Sequence, residues 1–173
     1  GEPKIALIPS STISLQYVVD NILDYNDSES HWVSSRWEGL NATLTVKFVD
    51  CPFYATHYSI RSHYTNNNYI RAWTLEGSLN GSYYDMLDNR TENDDLNCSG
   101  IGQYLISESP KPYVYFRITN KMITLGKDNK TRISGLDFFG FYFPIKPRYK
   151  CTCKENTFFI GSYHFINLLL ISL

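Results

Sequence analysis

Two pairs of acidic residues stand close enough in the chain to suggest acid–base chemistry: Asp94 with Asp95, and Asp85 with Asp88. Such a pair can cleave a glycoside when one carboxyl keeps its proton and the other is ionised. Both pairs lie in polar, turn-like stretches, where Asp more often caps backbone amides. The histidines, His31, His57, His63 and His164, share no metal-ligand spacing. His57 and His63 flank a predicted strand and share a face only if that strand stays regular. The sequence has no Gly-x-Ser-x-Gly elbow, no phosphate-binding Gly loop and no His-Glu-x-x-His. With no held acid/base pair, the residues favour binding over catalysis.

Binding of a sugar or a protein uses flat aromatic faces beside rigid polar donors. Two stretches supply both. Tyr64, Asn66, Asn67, Asn68 and Tyr69 put two aromatics and three amides on one predicted loop. His31, Trp32, Arg36 and Trp37 form a second cluster. The plainer alternative for Asn66 to Asn68 is a solvated loop tip. The candidate ligand contacts are His31, Arg36, Trp37, Tyr64, Asn66, Asn67, Asn68 and Tyr69.

These loops need a frame. Ile5 to Ile8 reads as a short first strand, ended by Pro9. Leu15, Val18, Val19, Ile22 and Leu23 follow the 3, 4, 7, 8 spacing of an amphipathic helix, so a short early helix is predicted. Thr43 to Phe48 alternates, with Leu44, Val46 and Phe48 on one face. Tyr54 to Arg61 and Tyr69 to Leu75 are the next predicted strands. Asn80-Gly81 has the residues of a tight hairpin turn, with Tyr83 to Leu87 as the return strand and Asp88 to Gly100 as a polar loop. Ile101 to Ile106 and Tyr113 to Thr119 follow. In the latter, Val114, Phe116 and Ile118 share one face, and Tyr113, Tyr115 and Arg117 the other. Arg117 is read as a structural charge, with Asp137 as its partner. Leu136 to Phe143 is apolar on both faces, as a central sandwich strand can be. Seven or eight short strands with one helical turn describe a two-sheet β sandwich.

Composition agrees. The chain has 173 residues, enough to bury a sizeable core without disulfides or metals. Aromatics make up 16%, with Tyr 14 and Phe 10, which favours strands. The net charge of −1 argues against a nucleic-acid binder. Cys51, Cys98, Cys151 and Cys153 permit two disulfides in three connectivities, but they fit no zinc pattern and read best as buried or idle thiols. Six N-glycosylation sequons, at Asn26, Asn41, Asn80, Asn89, Asn97 and Asn129, point towards a secretory lumen or the cell surface.

Residues 145–173 form a basic neck (Lys146, Arg148, Lys150, Lys154) and then an apolar tail. Residues 157–173 carry no Asp, Glu, Lys or Arg. A span needs about 17–25 apolar residues, so membrane contact through this tail is at the lower limit. The basic flank would then keep the domain in the cytosol. The sequons and the neck thus point to opposite compartments, and the cytoplasmic side is slightly favoured. The chain starts at Gly1 without an initiator Met or an apolar leader, which reads as a fragment or processed product with room for upstream domains.

Four segments in order carry a family resemblance. Trp73 to Tyr84 (Trp-Thr-Leu-Glu-Gly-Ser-Leu-Asn-Gly-Ser-Tyr-Tyr) resembles the coagulation factor 5/8 type C, or discoidin, family, with Tyr84 where that family usually has Trp. Asp20 with Ser30-His31-Trp32-Val33-Ser34, then Phe116-Arg117-Ile118, then Gly135 to Gly140 resemble its early, late and closing segments. The resemblance covers roughly Lys4 to Pro144. It implies an all-β, eight-stranded jelly-roll sandwich of the galactose-binding-like type over residues 1–144. It also implies a non-catalytic module gripping a protein or glycan through loops at one end, with Trp32 and Trp73 in the core. The alternative is an accessory carbohydrate-binding module of a glycoside-processing enzyme, or such an enzyme itself. The chain is similar to protist copies often found behind a BTB domain, which makes an upstream BTB domain an expectation. No cofactor is implied. The jelly-roll class admits a structural calcium on backbone carbonyls that a sequence does not reveal. Many secreted members join their ends by a disulfide, and no Cys precedes Cys51 here.

Overall fold

A computed structural model describes residues 4–23, 30–35, 40–63, 68–97, 100–106, 111–122 and 130–142. Ten strands lie among these residues: β1 (Ile5–Pro9), β2 (Trp32–Val33), β3 (Thr43–Phe48), β4 (Phe53–Arg61), β5 (Trp73–Ser78), β6 (Asp85–Arg90), β7 (Ile101–Leu105), β8 (Tyr115–Asn120), β9 (Arg132–Ile133) and β10 (Gly135–Tyr142). Eight are full strands, as expected, and β2 and β9 are two-residue pieces paired with each other. The five-stranded sheet runs β1-β3-β8-β5-β6 and the three-stranded sheet β10-β4-β7, with antiparallel pairing throughout.

Alternation explains the packing. Leu44, Val46 and Phe48 of β3 are buried, as are Phe116 and Ile118 of β8, Tyr58 and Ile60 of β4, and Leu136 and Phe138 of β10. Phe48 sits at the centre, stacked on Phe53 at 4.6 Å between ring centres and edge-on to Phe116 and Phe138. Trp32 and Trp73 are fully enclosed. Ten of the eighteen aromatics among the described residues are buried in this core.

A polar chain runs through this core. The Trp73 Nε1–H donates to the Tyr58 hydroxyl (2.9 Å), which donates to Asp88 Oδ2 (2.7 Å); Arg90 Nε donates to the same oxygen (2.8 Å). Each group at low dielectric has a partner, which makes the enclosure of Asp88 tolerable. Burial first, and Asp88 second, hold the Tyr58 phenol well above its ordinary range.

Several expectations are corrected. Leu15 to Leu23 is two 3-10 turns, Leu15–Tyr17 and Val19–Leu23, separated by an extended Val18 (φ −68, ψ 159). Ile22 is buried in the core and Val19 packs against it, but Leu15 is 93% and Leu23 42% exposed, so the apolar positions do not form one continuous buried face of the kind that sustains an α-helix. Strand β5 starts at Trp73 rather than Tyr69, because its ladder pairing with Arg90 and Asn120 begins there. Strand β6 runs from Asp85 to Arg90, so Asp85 and Asp88 stand on a strand rather than in turns. Tyr113 turns inward (3% exposed), its hydroxyl bonded to Asp85. Strand β10 lies at the edge of its sheet and β4 at the centre, with Phe141 45% exposed. Arg117 pairs with Glu76 across the sheet (2.9 Å) and stacks on Tyr84 (3.6 Å); Asp137 accepts from Ser59 Oγ.

The hairpin between β5 and β6 needs its glycine. Gly81 has φ +76, a left-handed conformation that an L side chain rarely adopts. Asn80 Oδ1 accepts from the amides of Ser82 and Tyr83 and closes the turn. Asn41, Asn80, Asn89 and Asn97, the four sequon asparagines among the described residues, are exposed. No helix among the described residues is long and apolar enough to cross a membrane. The neck and tail, residues 145–173, lie outside the described residues, as do Cys98, Cys151 and Cys153.

Candidate ligand-binding end of the sandwich

The registers decide which loops meet. Pro9 pairs with Leu44, Thr43 with Thr119, and Trp73 with both Asn120 and Arg90. In the other sheet, Arg61 pairs with Ile101 and Gly135. Segments 10–42, 62–72, 91–100 and 121–134 therefore leave the sheets at one end. Turns 49–52 and 79–84 and connection 106–114 occupy the other. Of the two clusters singled out in the sequence, the described members His31, Trp32, Asn68 and Tyr69 belong to the first end.

Backbone and side chains tie these segments together. The Ser34 and Thr131 pair exchanges two bonds: Ser34 N–H to Thr131 O (3.0 Å) and Thr131 N–H to Ser34 Oγ (2.9 Å). Asn120 Nδ2 donates to Thr131 Oγ1. The Ser62 amide donates to Gly100 O, and the Ser62 hydroxyl donates to Leu96 O. Asn21 Nδ2 donates to both Gln16 O and His31 O. Trp32 Nε1 donates to Ser11 O. Loops so pinned hold their side chains in fixed places, which recognition of a polar ligand needs.

Two groups stand out. Arg71 Nε and the Tyr69 hydroxyl both donate to Asp94 Oδ1, each at 2.8 Å. This fixes the outer Arg71–Asp94 pair, whose side chains are 19% and 61% exposed. Arg71 above all, then Tyr69, pulls the Asp94 carboxyl below its ordinary value. Beside it, the Asn93 amide donates to Arg71 O, and Asn93 Oδ1 accepts from Tyr104 and from the Asp95 amide. The second group is an imidazole pair: His31 and His63 have ring centres 3.8 Å apart, and Tyr17 lies 4.9 Å from His31 on the same end.

The predicted contacts fare unequally. Asn68 is half-buried on segment 62–72. Tyr69 is 1% exposed, its ring in the core and its hydroxyl spent on Asp94, so it supports the rim rather than presenting a face. His31 is buried too, against His63. Arg36, Trp37, Tyr64, Asn66 and Asn67 lie outside the described residues. No group of three or more His, Cys, Asp or Glu among the described residues could hold a metal ion.

Solved structures share this architecture. A family 32 carbohydrate-binding module from Clostridium perfringens NanJ, in complex with galactose, is 17% identical; the match covers 78% of this chain and 92% of that one, with a TM-score of 0.60. A family 32 module from a Clostridium perfringens family 31 glycoside hydrolase is 17% identical, over 80% and 92%, at 0.63. An F5/8 type C domain from Bacteroides fragilis is 15% identical, over 78% and 89%, at 0.61. This chain shares the β-sandwich fold of these modules. No family model matches the sequence, and no curated protein matches it.

Within this sandwich, sequence reading missed Arg71, Asp94 and His63 as parts of one end. Arg71 and Asp94 are 23 residues apart, on the two segments that flank the β5–β6 hairpin, and meet through the Asn93 to Arg71 backbone bond and their own ion pair. His63 and His31 come from different loops. No local spacing rule links such pairs; the only hint was that both clusters had to leave a sandwich at the same end.

Proposed function

We propose that this domain is a non-catalytic recognition module that binds carbohydrate through the loop end formed by segments 10–42, 62–72, 91–100 and 121–134. The observation that carries this reading is the rigid polar rim of Arg71, Asp94 and Asn93, held by Tyr69 and Tyr104. Sugar hydroxyls are bound by such planar donors and acceptors when these are immobilised before the ligand arrives. Tyr64 and Trp37 supply the flat aromatic faces in this reading, and Arg36, Asn66 and Asn67 further polar groups. The company of sugar-binding modules with the same fold supports it, among them one in complex with galactose and a chitosan-binding module from Paenibacillus.

Binding without turnover is supported by the state of the carboxylates. A glycosidase acid must keep its proton near neutrality, which takes a raised pKa. Asp94 is lowered by Arg71 and Tyr69, and Asp85 by Lys111 and Tyr113. Asp88 is taken up by Tyr58 and Arg90. These groups serve as anchors.

A glycan array with the wild type, Arg71→Ala and Tyr64→Ala tests the reading, run beside a hydrolysis panel of chromogenic glycosides. Binding by the wild type that both variants weaken, with no turnover, is the expected result. Equal binding by all three, or turnover lost in Asp94→Asn, would overturn it.

A further inference from the structure

His31 and His63 come from two of the loops that build the proposed end, and both are 6% exposed. Their rings lie 3.8 Å apart at 46°. The neighbours that face them come from several elements. Tyr17, on the first 3-10 turn, covers the His31 side. Arg132, on β9, is close enough to disfavour a proton on His63, and so is His31 itself. Arg61, two residues before His63, turns its guanidinium to Ser134 O (2.9 Å). The His31 backbone carbonyl accepts from Asn21 Nδ2, which ties this residue to the turn that carries Ile22. His63 directly follows Ser62, whose amide and hydroxyl tie it to segment 91–100.

Neutral imidazoles can share such a contact. A proton on each would set two like charges side by side, out of water and next to Arg132, a costly arrangement. We propose that the His31–His63 pair is an acid-labile latch: it joins segment 30–35 to segment 62–63 at neutral pH and releases them on acidification. As a control on ligand binding, it rests on the reading of this end as the recognition site. As a latch between loops, it stands alone.

The size follows from linkage. Burial first, then His31 and Arg132, bring His63 down to about 4, against an ordinary value of about 6.5 in an opened loop. The opened form takes up its proton first, so the closed form is fully favoured above about pH 6.5 and loses ground as the pH falls towards 4. Between pH 7.5 and 5.0 the opening constant should rise about 30-fold.

Amide hydrogen exchange on the full chain, corrected for intrinsic rates, measures this constant at both pH values. The expected result is a rise of about 30-fold for amides of 30–35 and 62–63, none for Leu44 and Val46 of β3, and a His63 ring that titrates well below pH 6 by NMR. In His63→Phe, which keeps a flat ring in place, the rise should shrink to a few-fold. A His63 titrating near its ordinary value, or loop protection that does not change in the wild type, would overturn the proposal. Both are read on the wild type, so they hold even if the variant does not fold. The glycan array repeated at pH 7.5 and 5.0 separates the two claims: no binding at either pH, with the exchange result intact, refutes the recognition reading and leaves the latch standing.

Discussion

Replacing Tyr58 by Phe removes one oxygen from the centre of the sandwich and leaves the ring in place. That oxygen is donor to Asp88 and acceptor from Trp73. A hydrogen bond to an ionised group is worth about 1.5–3 kcal/mol, and a buried donor left without an acceptor costs about 1–3 kcal/mol. Tyr58 and Trp73 are both fully enclosed, so water cannot replace the lost partner. Arg90 still neutralises Asp88, which limits the penalty. The expected loss is about 3 kcal/mol, with no cavity contribution because the ring volume stays. Urea denaturation at pH 7 would show it as a lower midpoint with an unchanged slope. Tyr104→Phe is the internal control: its hydroxyl reaches Asn93 over a longer 3.2 Å and otherwise faces the exposed Asp95, partners that water can serve in its place, so the change should cost about 1 kcal/mol. A Tyr58→Phe loss below 1 kcal/mol, or one no larger than that of Tyr104→Phe, would refute the view that this chain of bonds is closed and desolvated.

Further outcomes follow from the same packing. Gly77→Ala would set a Cβ 2.7 Å from the Tyr113 ring and 2.9 Å from Leu87, so thermal unfolding should show a loss of about 1–3 kcal/mol. Arg117→Lys keeps the charge opposite Glu76 but loses the guanidinium stack on Tyr84; a drop of about 0.5–1 kcal/mol is expected, and no drop would show the stack to be idle. Burial raises the phenols of Tyr58, Tyr104 and Tyr113. Their contribution to stability is therefore complete below pH 10 and lost as the pH rises beyond it, because the unfolded phenols ionise first. Absorbance at the tyrosinate band should show three phenols that resist ionisation until the protein unfolds.

Much of the frame was legible because it rests on period-two alternation. The spans of β3 and most of β4, β7 and β8 follow from it, and so does the inward set Leu44, Val46, Phe48, Phe116 and Ile118. What failed did so for physical reasons. Leu15 to Leu23 has helical spacing, but spacing predicts a helix only where a surface waits for the apolar face, and Leu15 and Leu23 find none. Tyr69 looks like a contact because aromatics on loops often are; its ring lies in the core and its hydroxyl bonds Asp94, a residue of a different loop. Pairing Arg117 with Asp137 fails because the two stand on strands of different sheets, whereas the register sets Glu76 directly opposite Arg117. The candidate end was legible as two loops but not as a set of partners, since partners across loops are fixed by sheet order.

The most direct test of the account is an NMR map of backbone shifts in the labelled chain, titrated with galactose, chitosan oligomers and mannuronate oligomers. Shifts confined to segments 10–42, 62–72, 91–100 and 121–134, with turns 49–52 and 79–84 unmoved, are the expected result for at least one sugar. Shifts clustered at the opposite end or on a sheet face, or no shifts with any of the three at millimolar concentration, would contradict the assignment of this end as a carbohydrate site.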